Sequence, residues 1–126
     1  MCKNKVIEIY TIQMGKWRKA KDLSIPILDI TVKSGEQAFS PTKEALYEYK
    51  AGKMSDERYT ELYYKHMRES LARNRAIWKQ LLTYETIALA CYCTPGDFCH
   101  RLLFADIMKK YCEFNGVSVI LQGEIE

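Results

Sequence analysis

The sequence predicts a small three-layer α/β domain in which a mainly parallel sheet of about four strands is flanked by helices. Two observations lead to this fold class. Residues 86–92 are apolar at almost every position, which is typical of a strand buried on both faces of a parallel sheet. The chain then closes with a helix and another strand, and a strand–helix–strand unit requires a right-handed parallel crossover.

Two further strands are predicted in the first part of the chain. Residues 6–12 are rich in β-branched side chains, and residues 25–32 form a second apolar run. Pro26 lies near the start of that second run, where a missing backbone donor is tolerated. Residues 14–18 between the two strands are predicted as a loop.

The middle of the chain is predicted to be helical. Ser40 and Pro41 indicate a helix entry, with Ser40 as N-cap and Pro41 at the first helical position. A second helix begins after Ser55, and its apolar stripe is long enough that we expect a break near Asn74.

The last helix is predicted to begin at Phe98 with Asp97 as its N-cap, and to end at Asn115 and Gly116. Residues 117–121 form the final strand. The complete pattern is Rossmann-like. Because no linker or repeat interrupts it, we expect residues 1–126 to form a single domain.

Composition limits the classes of function. The net charge of +3 and the pI near 8.5 are too mild to indicate a nucleic-acid-binding protein on their own. The densest basic cluster, around Lys16 and Arg18, is predicted as a solvated loop. An odd number of cysteines, no apolar segment of membrane-spanning length and no signal sequence favour a cytoplasmic protein with reduced thiols. The cysteines are Cys2, Cys91, Cys93, Cys99 and Cys112.

Polar residues follow three of the predicted strands at the edge where parallel sheets bind ligands. We expect these residues to lie together at one ligand-binding edge of the sheet. They are Gln13, Lys16 and Arg18 after the first strand, Asp29, Thr31, Lys33 and Ser34 at the second, and Cys91, Cys93, Cys99, His100 and Arg101 after the third.

Within this set, His100 and Arg101 lie in the first turn of the last helix, where unpaired N–H groups and the helix dipole favour anions. Cations at a helix start oppose the dipole, so a bound anion or a nearby carboxylate would explain their placement. The alternative is that Arg101 pairs with a surface acid and His100 packs on the sheet.

Cys99 is the candidate nucleophile, because the helix dipole and its cationic neighbours would lower the pKa of its thiol. His100 or His66 would then act as the base, although adjacent helical residues such as Cys99 and His100 diverge. The alternative is a small buried residue. Cys91, Cys93, Cys99 and His100 are also four soft ligands for zinc, but their spacing is not that of a standard knuckle, and we expect neither a metal nor a cofactor.

The segment from Ala88 to Arg101, which reads ALACYCTPGDFCHR, resembles the signature of the family called domain of unknown function 488. Ile9 to Ile12 is similar to that family's opening strand, and Leu28 to Ile30, followed by Ser34 and by residues 39–41, is similar to its second strand and loop. The resemblance covers nearly the whole chain in order, and small members of the family also occur in bacteriophages.

The resemblance implies a compact α/β fold with a pocket around Cys91, Cys99, His100, Arg101 and Asp29, but it implies no known reaction. Two positions depart from the family pattern. Thr31 replaces an arginine and Tyr92 replaces a glutamate, so acid–base chemistry that used both of those residues is in doubt here.

The leading hypothesis is a site for a small phosphate-bearing ligand, which we expect to be a nucleotide or a nucleotide derivative. In one version of this hypothesis, the chain is a phage accessory protein that sequesters a signalling nucleotide. One alternative is a hydrolase or transferase that uses Cys99 and His100 on a nucleotide. The other is a module that binds or processes nucleic acid, with tyrosines stacking on bases. The oligomeric state stays open, although the tyrosine-rich helices could form a dimer face.

Overall fold

The computed structural model describes residues 5–93 and 99–126. Its four strands are all parallel in the order β2-β3-β1-β4, and helices flank the sheet. The strands are β1 (Val6–Gln13), β2 (Ile27–Asp29), β3 (Thr86–Cys91) and β4 (Ser118–Ile125). The helices are α1 (Trp17–Asp22), α2 (Lys43–Lys50), α3 (Asp56–Arg73), α4 (Arg75–Lys79) and α5 (His100–Phe114). The predicted three-layer α/β fold is confirmed.

The central strand β3 divides its side chains between the two faces of the sheet. Ile87 and Leu89 belong to the larger core, which contains buried side chains of α3, α4 and α5. Ala88 and Ala90 point to the smaller core, where they meet Ala20 of α1. All four of these β3 side chains are fully buried, as the apolar run predicts. None of the helices in the described ranges combines the length and hydropathy needed to cross a bilayer.

Two predictions in the first part of the chain are wrong. Residues 14–18 are not a loop, because a 3-10 turn at Met14–Lys16 leads directly into α1. Burial of Ala20 against the sheet stabilises this short helix, a tertiary contact that local sequence does not reveal. Strand β2 is shorter than predicted because the Asp29 carboxylate accepts hydrogen bonds from the backbone N–H and Oγ1 of Thr31, which turns the chain.

The predicted helix boundaries have mixed outcomes. Ser55 Oγ accepts a hydrogen bond from the Arg58 amide at 3.0 Å, and the long helix breaks at Asn74, so both predictions are confirmed. The prediction of Ser40 as N-cap is wrong, because Thr42 holds that position and its Oγ1 accepts from the Ala45 amide. The predicted entry at Asp97 and Phe98 lies outside the described residues, but the placement of Cys99 in the first turn of the last helix is wrong, because Cys99 has extended backbone geometry and is the N-cap of α5.

Candidate functional site

A cleft of about 870 Å³ opens beyond the carboxyl ends of β2 and β3, beside α2. This volume falls within the range of about 300–1,000 Å³ that is usual for small-molecule sites. Its wall is cationic, with Lys33, Lys43 and Lys50 against the single carboxylate of Glu44 among the described lining residues. Its other lining residues include Thr31, Val32, Pro41, Leu46, Tyr47, His66, Cys91, Tyr92, Cys93 and His100.

Three cysteines converge beside the cleft, at the end of β3 and immediately before α5. The sulfur atoms of Cys91, Cys93 and Cys99 all lie within 4.8 Å of one another, and Cys91 Sγ and Cys99 Sγ are 2.7 Å apart. Cys91 and Cys99 are buried, whereas Cys93 is half-buried and lies 3.8 Å from Lys50 Nζ. The parallel strand and the following helix thus bring together three thiols, which we call the cysteine cluster.

His100 points one edge of its ring at this cluster. Its Nε2 lies 2.8 Å from the Ile30 carbonyl oxygen, and since a carbonyl can only accept, Nε2 carries the proton. Burial lowers the pKa of His100, which favours the neutral ring with Nδ1 as an acceptor. That Nδ1 lies 3.7 Å from Cys99 Sγ, and the ring edge packs on Tyr63.

The surroundings of Cys99 in the structure do not favour the lowered thiol pKa that the sequence predicts. Hydrogen bonds with Cys91 and Cys93, together with burial, raise the pKa of Cys99. Hydrogen bonds from Cys91 and Cys99 lower the pKa of Cys93, and Lys50 adds to this effect. Of the three thiols, Cys93 is the least buried and the one whose surroundings lower its pKa.

Arg101 is enclosed by the protein and lies behind the cleft. Its side chain is 2 % exposed and forms a bidentate ion pair with Glu124, with Nη2 to Oε2 at 3.0 Å and Nε to Oε1 at 3.2 Å. Its Nη1 donates to Cys91 Sγ at 2.8 Å and to the Cys93 carbonyl at 3.2 Å. Thr11 Oγ1 donates to the same glutamate. A nearby carboxylate therefore accounts for a cation at the start of α5.

The turn after β2 is held together by the Asp29 carboxylate. Oδ1 accepts from Thr31 and Oδ2 accepts from Ser34 Oγ at 2.6 Å, while Tyr92 OH lies 3.5 Å from Ser34 Oγ. Gly35 packs so closely here that a Cβ atom would lie 2.4 Å from the Asp29 carbonyl oxygen. These contacts fix the position of the loop that carries Lys33.

A scan against protein-family models matches residues 30–112 to a model described as "Active DUF488-N3 subclade". The chain belongs to the DUF488 family. Searches of curated proteins and of solved structures gave no significant match. The matched range includes the turn after β2, the cysteine cluster, His100 and Arg101, which are the residues that carry most of the resemblance.

In this DUF488 protein, the structure brings only some of the predicted ligand residues to the cleft. Thr31, Lys33, Cys91, Cys93 and His100 line it. Three others support the site from behind, namely Asp29, Ser34 and Arg101. Lys16 and Arg18 lie at the start of α1, where Arg18 stacks over Trp17, and neither is a lining residue.

Sequence reasoning missed the cleft lysines of α2 and the acid that pairs with Arg101. Lys43 and Lys50 are seven residues apart, which is two helical turns and so one face of α2. That spacing could have predicted that both lysines lie on the same side of the cleft. Glu124 had no such signal, because the predicted last strand ended before it.

Proposed function

We propose that this DUF488 protein binds a phosphate-bearing small ligand, a nucleotide or a nucleotide derivative, in the cleft. The observation that carries the proposal is the set of three lysines, Lys33, Lys43 and Lys50, which face one carboxylate among the lining residues that the structure describes. All three are exposed, and within the described residues none of them forms an ion pair. Ammonium groups in this state are available as point charges for phosphate oxygens.

The rest of the cleft wall fits the other half of such a ligand. Tyr47 and Tyr92 line the cleft and are 58 % and 55 % exposed. Exposed aromatic rings offer faces on which a nucleobase can stack, a contact worth about 1–3 kcal/mol per base. Val32, Pro41 and Leu46 add apolar surface. The combination of cations and aromatic rings favours a nucleotide over inorganic phosphate.

Calorimetry against a panel of nucleoside mono-, di- and triphosphates tests the proposal. Loss of one charge-assisted contact, worth about 1.5–3 kcal/mol, predicts that Lys50→Ala weakens binding roughly ten- to hundredfold. Lys79→Ala is the matched control, since Lys79 is an exposed helical lysine outside the cleft, and we expect it to bind as the wild type does.

No binding by the wild-type protein to any nucleotide, or equal weakening by Lys50→Ala and Lys79→Ala, would overturn the proposal. Analysis of the ligand after incubation and denaturation distinguishes binding from turnover. Recovery of the unchanged nucleotide supports a binding protein, whereas a changed nucleotide identifies an enzyme that uses the same cleft.

A further inference from the structure

We infer that Cys91, Cys93, Cys99 and His100 form a site for one thiophilic divalent cation, for which zinc is the best match. This inference does not rest on the proposed nucleotide binding, because none of its four ligand groups is a lysine, although Lys50 lies beside both the cleft and Cys93. It reverses the expectation from sequence that no metal is bound. Three cysteine sulfurs and an imidazole are a common ligand set of structural zinc sites.

The distances among the three sulfurs fit one ion at the centre of the cluster, and His100, which lies near Cys99 but not within 4.8 Å of all three sulfurs, completes the ligand set by a shift of its ring towards that ion. With Zn–S near 2.3 Å and Zn–N near 2.0–2.1 Å, tetrahedral geometry places sulfurs about 3.8 Å apart and nitrogen about 3.5 Å from sulfur. The three sulfurs lie within 4.8 Å of one another, and His100 Nδ1 is 3.7 Å from Cys99 Sγ. Binding requires Cys91 and Cys99, now 2.7 Å apart, to separate by about 1 Å.

The tautomer of His100 is the second observation that points to a metal. Metal-bound histidines almost always donate their other ring N–H to a carboxylate, carbonyl or water. His100 Nε2 donates to the Ile30 carbonyl at 2.8 Å, and the other ring nitrogen, Nδ1, lies 3.7 Å from Cys99 Sγ. The Nε2–H of His100 is therefore already held by an acceptor, as it is in metal-bound histidines.

The charges around the cluster also suit a cation bound to thiolates. Three thiolates and Zn²⁺ would leave one net negative charge. Arg101 Nη1 donates to Cys91 Sγ at 2.8 Å, and Lys50 Nζ lies 3.8 Å from Cys93 Sγ. Such outer contacts orient and stabilise metal-bound thiolates.

A disulfide between Cys91 and Cys99 explains less of this arrangement. It would use two sulfurs and leave the convergence of Cys93 and the fixed tautomer of His100 without a role. A metal uses all four groups, and it would tie the end of β3 to the start of α5, where Cys99 provides no side-chain cap. A metal-bound Cys93 would not be free to act as a nucleophile.

Metal analysis of the whole protein tests the inference. Protein purified under reducing conditions without chelator should contain one zinc per chain by native mass spectrometry. After the metal is removed, titration with Co²⁺ should give thiolate-to-cobalt charge-transfer bands and the d–d bands of a tetrahedral site. Cys93→Ser should weaken metal binding at least tenfold, because it removes a ligand at a half-buried position that tolerates a hydroxyl.

Cys112→Ala is the matched control, because Cys112 is a free buried cysteine in the main core and not a member of the cluster. It should keep the metal content and the cobalt spectrum. The inference is overturned by reduced wild-type protein that gives no cobalt bands, by a Cys91–Cys99 disulfide that persists under reducing conditions, or by unchanged binding in Cys93→Ser. The cobalt titration needs no variant, so it decides the matter even where a substitution prevents folding.

Discussion

The buried floor beneath the cleft and the exposed rim around it are built in opposite ways. The floor is the buried layer at and behind the cleft, formed by Cys91, Cys99, His100 and Arg101, and its polar groups bond to one another, to Glu124 or to the backbone. The rim, formed by Lys33, Lys43 and Lys50, is exposed and carries its charge into solvent. Arg101 and the rim lysines are all cations beside one cavity. Arg101 is neutralised by Glu124, however, whereas the three lysines keep their charge available for a ligand.

This difference teaches that a cation near a pocket is not by itself a ligand contact. The burial and partners of the cation decide whether it stabilises the fold or binds an anion. Substitutions in the floor should therefore reduce the stability of the protein, whereas substitutions of the rim lysines should reduce affinity and leave stability unchanged.

The largest expected effect comes from Arg101→Ala. Removing one partner of a buried ion pair leaves the other charge without compensation, and we expect a loss of about 3 kcal/mol in the free energy of unfolding. This lies at the lower end of the usual range because Glu124 is 18 % exposed. Chemical denaturation measures the loss.

Arg73→Ala is the control for this prediction, because Arg73 pairs with Glu69 at 3.9 Å on the surface. An exposed pair of this kind is worth at most about 1 kcal/mol, so we expect little change in stability. If Arg101→Ala kept its stability and lost nucleotide affinity instead, Arg101 would belong to the ligand contacts and the contrast between floor and rim would fail.

The next effect in size concerns the loop that carries Lys33. In Gly35→Ala, the new Cβ would lie 2.4 Å from the Asp29 carbonyl oxygen and 2.5 Å from the Thr31 nitrogen. The backbone must move, and we expect a loss of about 2 kcal/mol, as for other overpacked sites. Nucleotide binding should also weaken, since the loop carries a cleft lysine.

Gly52→Ala separates this steric clash from a general effect of replacing glycine. Gly52 has φ +78°, and a Cβ atom added there would have no heavy atom of the described chain within 4 Å beyond its immediate neighbours. Only a conformational cost of about 1 kcal/mol is therefore expected. Equal losses for both variants would show that the close packing at Gly35 is unimportant.

The sequence was sufficient to predict those features of the fold that depend on residues close together in the chain. The Ser55 cap, the break at Asn74 and the buried strand β3 were predicted from patterns of adjacent residues. The Arg101–Glu124 pair was not, because it depends on a strand that continues past its apolar run. A bulge between Leu121 and Gly123, opposite Ile9 and Tyr10, allows β4 to continue and carry Glu124 to Arg101.

The candidate site follows the same division. The convergence of Cys91, Cys93, Cys99 and His100 was predicted, since all four lie at the junction of one strand and the next helix. The lowered pKa of Cys93 was not predicted, because it depends on the hydrogen bonds that Cys91 and Cys99 make to it in three dimensions and on Lys50, a residue that is distant in sequence.

The smallest expected effect on stability comes from the N-cap of α2, where the structure has Thr42 and the sequence predicted Ser40. Thr42→Ala removes the acceptor of the Ala45 amide, at 3.2 Å, and should cost about 1 kcal/mol. Ser40→Ala should cost less, because the Ser40 hydroxyl makes only longer bonds of 3.3 and 3.4 Å to Gln37. Hydrogen exchange of the Ala45 amide should accelerate in Thr42→Ala, stay slow in Ser40→Ala and recover in Thr42→Ser.

The Thr42→Ala variant also tests how the rim lysines of α2 contribute to nucleotide binding. Loss of the cap frays the first turn, which contains Lys43, while Lys50 at the other end of α2 keeps its helical geometry. Nucleotide affinity should therefore fall by less in Thr42→Ala than in Lys50→Ala. The reverse order would mean that the position of the first turn, rather than the charge at Lys50, governs the cleft, and the rim would then resemble the floor in depending on fixed structure.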